Sequence, residues 1–73
     1  MTDKQVVKRI TQYSDGTEVR ESWYANGQQE YREEYRDGEP HGIVEGWYEN
    51  GQQEYRTEYR NGKLIRNLME EDK

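Results

Sequence analysis

The chain has 73 residues, of which 29% are hydrophobic and 37% are charged, and its net charge is −5. This length allows one domain with a small core, and the acidic balance disfavours nucleic acid and anionic membranes, which attract basic surfaces. The sequence contains no Cys, which excludes a disulfide framework and a Cys-ligated zinc site within it.

The first ten residues contain no continuous apolar run. They therefore predict neither a signal peptide nor a membrane span, and we expect a cytoplasmic protein. One domain is predicted over residues 1–73, with frayed ends at 1–4 and 70–73. Val6, Val7 and Ile10 lead into a first strand that ends near Tyr13, although their spacing also suits a helix.

A sixteen-residue segment occurs twice in the chain. Residues 23–38 recur as residues 47–62, which is a step of 24 residues, and only three positions differ. The changes are Ala25 to Glu49, Glu33 to Thr57 and Asp37 to Asn61. A fixed period of this length is typical of a fold built from small repeated units.

A shorter motif, Tyr-x-Asp/Asn-Gly, occurs five times, beginning at Tyr13, Tyr24, Tyr35, Tyr48 and Tyr59. Asp-Gly and Asn-Gly between β-favouring runs predict hairpins with type I′ turns, in which both central residues have φ > 0. Five such turns predict an all-β fold: a single open antiparallel meander of about six strands. The strands after the first are expected at about 17–24, 28–35, 41–48, 52–59 and 63–69.

Two segments of the chain depart from the repeated pattern. Pro40 cannot donate a hydrogen bond to a neighbouring strand, so the fourth strand is expected to start after it. Leu64, Ile65, Leu68 and Met69 suit either a last strand or a helix that folds over one face of the sheet.

Charge pairing predicts the register of the second hairpin. With a two-residue loop, Glu21 lies opposite Arg32 and Arg20 lies opposite Glu33, which are favourable cross-strand pairs. With a three-residue loop, Arg20 would instead lie opposite Arg32, which is destabilising. The two-residue register is therefore predicted.

In this register all the tyrosines lie on one face of the sheet, because successive turn tyrosines are separated by odd numbers of residues. Gly42 and Gly46 fall on that face, opposite Tyr59 and Tyr55. This face is predicted to pack on itself or on a second copy of the chain, since one exposed sheet buries little apolar area. The predicted self-packing residues are Tyr13, Tyr24, Tyr31, Tyr35, Tyr48, Tyr55 and Tyr59.

The opposite face is predicted to be acidic and to carry both tryptophans. Trp23 is expected opposite Glu30, and Trp47 opposite Glu54. Exposed Trp among charges is a composition typical of binding hot spots, so a protein partner with a basic surface is expected. The alternative is that both Trp side chains only cover their own sheet. The predicted partner-binding residues are Trp23, Trp47, Glu30, Glu54, Glu21 and Glu45.

No arrangement in the sequence predicts catalysis. His41 is the single histidine, and no Ser or Cys nucleophile is arranged around it in a recognisable motif. The carboxylates alternate with Arg and form no calcium-binding loop pattern. We therefore expect a protein that is not an enzyme and that has no cofactor and no metal site.

The stretch from Tyr35 to Gln52 contains aromatic-x-Asp-Gly, then His41-Gly42, then alternating residues up to Trp47-Tyr48. This pattern, which extends over residues 13–65, resembles the MORN repeat in its bacterial variant form, whose members are often labelled antitoxins. The resemblance implies a meander of hairpins that acts as a protein-interaction module. Its most specific form is an antitoxin that neutralises a toxin by binding the toxin's surface. An acidic inhibitor that mimics nucleic acid and a purely structural homo-oligomer are the alternatives.

Overall fold

The computed structural model describes residues 7–70, which form one antiparallel sheet in the predicted meander order. Of the ends expected to be frayed, residues 1–4 and 71–73 lie outside the described residues, as does Val6, whereas residue 70 ends a 3₁₀ turn. The helical alternative for residues 64–67 is not observed, and a single 3₁₀ turn follows the last strand. The elements are β1 Val7–Gln12, β2 Thr17–Trp23, β3 Gln29–Arg36, β4 Glu39–Trp47, β5 Gln53–Arg60, β6 Lys63–Asn67 and the 3₁₀ turn Leu68–Glu70.

The sheet is a single layer. The molecule measures 42 × 38 × 12 Å, and the short dimension has room for one sheet with its side chains. Among the described residues Val19 is the one buried hydrophobic side chain, at 7% exposure. No second layer in residues 7–70 covers either face, so side chains are buried mainly by their neighbours within the sheet.

The five turns are of two kinds. Asp37 and Asn61 have positive φ together with the glycines that follow them, which gives the predicted two-residue loops. The prediction is wrong for the other three turns, where glycine alone has positive φ and the loop has three residues. In one of these, the Asn26 side-chain oxygen accepts the Gln28 N–H at 2.9 Å. This bond forms an Asx turn within the loop, and Asn26 lacks the positive φ that a type I′ turn needs.

A β-bulge compensates for the extra loop residue in the second hairpin. Trp23 pairs with Gln29, whereas Ser22 pairs with Tyr31, so Glu30 is left as an additional residue. Beyond the bulge the predicted pairs are confirmed, including Glu21 with Arg32. The register was therefore predicted correctly from a loop of the wrong length.

The fourth hairpin repeats this arrangement 24 residues later. Trp47 pairs with Gln53 and Gly46 with Tyr55, which leaves Glu54 as the additional residue. The predicted pairing of Gly46 with Tyr55 is confirmed. The same holds for the predicted pairing of Gly42 with Tyr59 on the far side of that hairpin.

The first hairpin has the three-residue loop but no bulge. Gln12 pairs with Glu18, and the Tyr13 N–H donates to the Thr17 carbonyl at 2.8 Å. Without a compensating bulge, β1 is shifted by one residue, which moves its side chains to the opposite faces. Strand alternation therefore places Tyr13 on the face opposite to the other tyrosines, and its predicted position is wrong.

The joint between the two repeat copies lies inside β4. The strand begins at Glu39, so the expectation that it starts after Pro40 is wrong. Glu34 Oε1 accepts the Ile43 N–H at 2.7 Å, and a Cβ added at Gly42 would clash with this carboxylate. With φ of +109°, Gly42 provides room for Glu34 rather than for the tyrosine opposite.

We predict that Gly46→Val lowers the free energy of unfolding by about 1–3 kcal/mol through overpacking. A Cβ added at Gly46 would lie 2.6 Å from the Cε2 and Cζ atoms of Tyr55. Urea denaturation measures the change. In a Tyr55→Ala background the same substitution should lower the free energy of unfolding by a clearly smaller amount, because the clashing ring is gone.

The surface substitution Glu58→Gln is the control, since this carboxylate forms a half-exposed ion pair with Arg66 at 3.1 Å. Its effect should stay within about 1 kcal/mol. Equal unfolding midpoints for Gly46→Val and Glu58→Gln would contradict the packing described here.

Candidate functional site: the tyrosine face

The pairing of the strands divides the side chains between two faces. The tyrosine face is the side of the sheet that carries Ser22 and Gly46, and the tryptophan face is the side that carries Val19, Trp23 and Trp47. Pairing and strand alternation place six of the seven predicted self-packing tyrosines together on the first of these. These six are Tyr24, Tyr31, Tyr35, Tyr48, Tyr55 and Tyr59.

A row of small and aromatic residues crosses the middle of the tyrosine face. Ser22 pairs with Tyr31, Tyr31 with Gly46, and Gly46 with Tyr55. Ser22 is fully buried and Gly46 is buried, although neither is a hydrophobic core residue. These two positions are equivalent in the repeat, 24 residues apart. In each copy a small residue therefore faces the tyrosine on the next strand.

The bulges bring carboxylates onto this face. Glu30 Oε1 accepts a hydrogen bond from the buried Ser22 hydroxyl at 2.7 Å, so Glu30 lies beside the row. Glu54 occupies the equivalent bulge in the second copy. Glu33 follows on β3, where its carboxylate accepts a hydrogen bond from the Tyr35 hydroxyl at 3.2 Å.

Burial and these carboxylates raise the pKa of two of the tyrosines. Burial raises the pKa of Tyr55, and the negative charges of Glu33 and Glu54 raise it further. Burial also raises the pKa of Tyr24, with Glu30 and Glu54 adding to the effect. The Tyr24 hydroxyl donates to the Trp47 carbonyl at 2.8 Å, which extends its ring from the β2 turn towards β4. We call this set the acidic tyrosine cluster: Tyr24, Tyr31, Tyr55, Glu30, Glu33 and Glu54.

Within residues 7–70, the carboxylates of the cluster form no ion pair, whereas five other glutamates do. Arg20 is the cation that pairs directly with a carboxylate of the cluster, since it lies opposite Glu33 on the next strand. Its guanidinium is bonded to Glu18 and lies 4.2 Å from the centre of the Tyr35 ring. The negative charge of the cluster therefore lacks a bound cation in the described part of the chain.

The tryptophan face has a different charge pattern from the one predicted. Arg and Glu alternate in one row across five strands, because each residue pairs with an opposite charge on the next strand. The Arg9–Glu21 ion pair measures 2.9 Å and the Arg56–Glu45 pair 3.2 Å. The row consists of Arg9, Glu21, Arg32, Glu45 and Arg56.

The prediction of an acidic tryptophan face is therefore wrong. The shift of β1 exchanges the faces of Lys8 and Arg9, which adds Arg9 to this side. The bulges remove Glu30 and Glu54 from it, so the tryptophans pair with Gln29 and Gln53 instead. Glu21 and Glu45 do lie on this face, but both are bonded to arginine.

Both tryptophans are half-buried rather than exposed. Trp23 pairs with Val7, and the Arg9 guanidinium lies 5.0 Å from the centre of its ring. An open groove beside it is lined by Val7, Trp23, Tyr24, Ala25 and Gly27. The role of Trp23 and Trp47 in partner binding stays a prediction, without the charge argument that supported it.

Ser22 and Glu33 belong to the site but were not predicted from the sequence. For Ser22 a signal existed, since it stands where the second copy has Gly46, and small residues at equivalent positions indicate close packing above both. For Glu33 there was none, because the second copy has Thr57 at that position.

His41 has a structural contact at the end of the sheet. Its Nδ1 accepts the Asn61 N–H at 3.2 Å, which joins the start of β4 to the last turn. No group of three or more His, Cys, Asp or Glu side chains in residues 7–70 is arranged to hold a metal ion.

No protein-family model, curated protein or solved structure matches this chain. The similarity to MORN repeats thus stays a resemblance that the repeated motif carries. The described part of the chain contains no helix that is long and apolar enough to cross a membrane.

We predict that Tyr55 ionises at a higher pH than free tyrosine, whose pKa is about 10. The absorbance of phenolate near 295 nm, recorded for the wild type minus Tyr55→Phe, gives this titration. Because the pKa is raised in the folded state, its contribution to stability is intact below pH 10 or so and is lost as pH rises through the folded value. A midpoint at the free value would contradict burial beside carboxylates. Glu54→Gln should lower the midpoint.

Proposed function

We propose that the chain is a non-enzymatic protein-binding module whose acidic tyrosine cluster binds a basic surface of another protein. The observation that carries this proposal is that the carboxylates placed among the tyrosine rings form no ion pair with any residue in 7–70. On the tryptophan face, by contrast, Glu21 and Glu45 already have arginine partners within the sheet. A cationic partner would therefore gain more binding free energy at the tyrosine face than at the tryptophan face.

The composition of the cluster supports protein recognition. Tyrosine is among the residues that contribute most to binding energy at interfaces, because its rigid ring combines apolar area with a hydroxyl. Arg and Lys side chains also interact favourably with aromatic rings, and more strongly where the site is partly shielded from water. The carboxylates would accelerate encounter with a basic partner at low salt.

The architecture supports the same conclusion. A sheet 12 Å thick exposes both faces, and the described residues provide no element that covers the tyrosine face. Tyr48, at the edge of this face, is 50% exposed. Its backbone is nevertheless held in an ordered turn by the bond from its N–H to the Gln52 carbonyl at 2.8 Å. A tyrosine side chain also has only two side-chain torsions to fix, so it loses little entropy when it binds.

The resemblance to MORN repeats gives the proposal its most specific form. Variant repeats of that kind occur in proteins labelled as antitoxins, so the partner would be a toxin whose basic surface is occluded. An inhibitor that mimics nucleic acid is less well supported, because most glutamates of the tryptophan face are bonded to arginine. In a purely structural homo-oligomer the negative charge of the cluster would have no role in binding.

We predict that Glu30→Gln combined with Glu54→Gln weakens binding of an arginine-rich peptide several-fold. Fluorescence anisotropy of the labelled peptide, measured at low and at physiological salt, gives the affinities. The expected loss arises because two carboxylates that contact the peptide become neutral, and ion pairs at exposed sites contribute about 0.2–1 kcal/mol each.

The matched control is Glu21→Gln combined with Glu45→Gln. These residues are also equivalent in the repeat, and the net charge changes equally, so the long-range attraction falls by the same amount. The control should retain more binding than the first pair, and so should Trp23→Phe combined with Trp47→Phe. Greater loss in the control, or loss with the tryptophan variants alone, would move the binding site to the tryptophan face.

A further inference from the structure

We propose that two copies of this chain join edge to edge through β1, antiparallel, to form one continuous sheet. This interface is distinct from the acidic tyrosine cluster and does not depend on the function proposed for it. It rests on the regularity of the β1 edge, on the backbone groups that this edge presents, and on the side chains that pairing would cover.

Within residues 7–70 the sheet has two edges that pair with no further strand, β1 and β6, and they differ. The pairing of β5 with β6 shifts register between Glu58 and Tyr59, and the chain turns into a 3₁₀ helix at Leu68. Bulges and short strands are devices that block pairing at sheet edges. By contrast, β1 pairs with β2 over six consecutive residues without a shift. The regular edge suited to strand addition is therefore β1.

The turn after β1 fixes which backbone groups face outward. Tyr13 donates its N–H to Thr17, and hydrogen-bonded pairs alternate with non-hydrogen-bonded pairs along an antiparallel ladder. Lys8, Ile10 and Gln12 consequently direct their N–H and C=O groups away from β2. These groups form a row that a second strand can satisfy.

Three large apolar or aromatic side chains are exposed along this edge. Val7 and Ile10 are each 61% exposed, and Tyr13 is 53% exposed. In an antiparallel pair with its two-fold axis at Ile10, Ile10 of one protomer lies opposite Ile10 of the other. Val7 then lies opposite Tyr13 in a non-hydrogen-bonded pair, where side chains approach more closely. All three exposed side chains thereby gain an apolar neighbour.

Charge and apolar pairing together select this register over its neighbours. With the axis at Ile10, Lys8 lies opposite Gln12, and Arg9 lies opposite Thr11, so no like charges meet. Moving the axis to Thr11 places Tyr13 opposite Arg9, so its apolar contact with Val7 is lost. Moving the axis to Arg9 places two arginines directly opposite each other, and moving it to Lys8 does the same with two lysines. Like charges in that position destabilise a strand pair.

The two-fold axis of such a pair stands perpendicular to the sheet, so both tyrosine faces point to the same side. The dimer would present two acidic tyrosine clusters on one continuous surface. For a partner that reaches both clusters, the second contact would be intramolecular and would increase the overall affinity.

Cysteine cross-linking tests the register directly, because the natural sequence has no Cys. Residues of a hydrogen-bonded antiparallel pair have Cα atoms about 5.5 Å apart, which is a distance that disulfides span. Under mild oxidation, Ile10→Cys should form a covalent dimer rapidly. Lys8→Cys and Gln12→Cys, which lie on the same edge but not opposite themselves, should do so slowly. Equal rates at the three positions would overturn the proposed register.

Sedimentation equilibrium tests the dimer itself. The wild type should dimerise, and Ile10→Pro should raise the dissociation constant about tenfold or more, since an outward N–H is lost from each protomer. Proline is tolerated on an edge strand at such a position, and circular dichroism checks the fold. Ile10→Lys, which opposes two lysines, should have the same effect, and Ile10→Val should have little. A monomeric wild type, or a dimer lost with Leu64→Lys and not with Ile10→Lys, would overturn the proposal.

Discussion

The contact between the Tyr55 ring and Gly46 is the constraint on which the rest of the tyrosine face depends. A single-layer sheet has no opposing layer, so a large side chain is shielded from water mainly by lying across its own strands. This requires a neighbour without bulk, and Gly46 provides it on β4, as Ser22 does at the equivalent position of β2. The burial of both small residues indicates that the tyrosine rings, rather than an interior core, organise this protein.

The loops determine where the charges of the sheet lie. A hydrogen bond from the Gln28 N–H to the Asn26 side chain favours a three-residue loop, and the bulge at Glu30 restores the register that the extra loop residue would shift. The bulged glutamate thereby joins the tyrosines, where Ser22 binds it. In the second copy the Asn50 side chain accepts the Gln52 N–H and the bulge recurs at Glu54, but Gly46 stands in place of Ser22 and offers no hydroxyl. A feature of turn chemistry thus places carboxylates among aromatic rings on one surface.

Strand order and most pairs could be predicted, because repeated turn motifs and cross-strand charges each favour a single arrangement. The charge of each face could not be, because a one-residue difference between bulged and unbulged strands exchanges the faces of all the residues that follow. The sequence Tyr-x-Asp/Asn-Gly is shared by all five turns, yet it leads to two loop lengths. Tyr13, Glu30 and Glu54 were consequently assigned to the wrong faces, and with the two glutamates the negative charge expected around Trp23 and Trp47.

The assignment of the bulged glutamates to the tyrosine face is the claim most central to this account. Nuclear Overhauser effects from the side-chain protons of Glu30 and Glu54 test it directly in solution. We expect cross-peaks from Glu30 to Ser22 and to the Tyr24 ring, and from Glu54 to tyrosine ring protons. Cross-peaks from these glutamates to the indole protons of Trp23 and Trp47 instead would contradict the account.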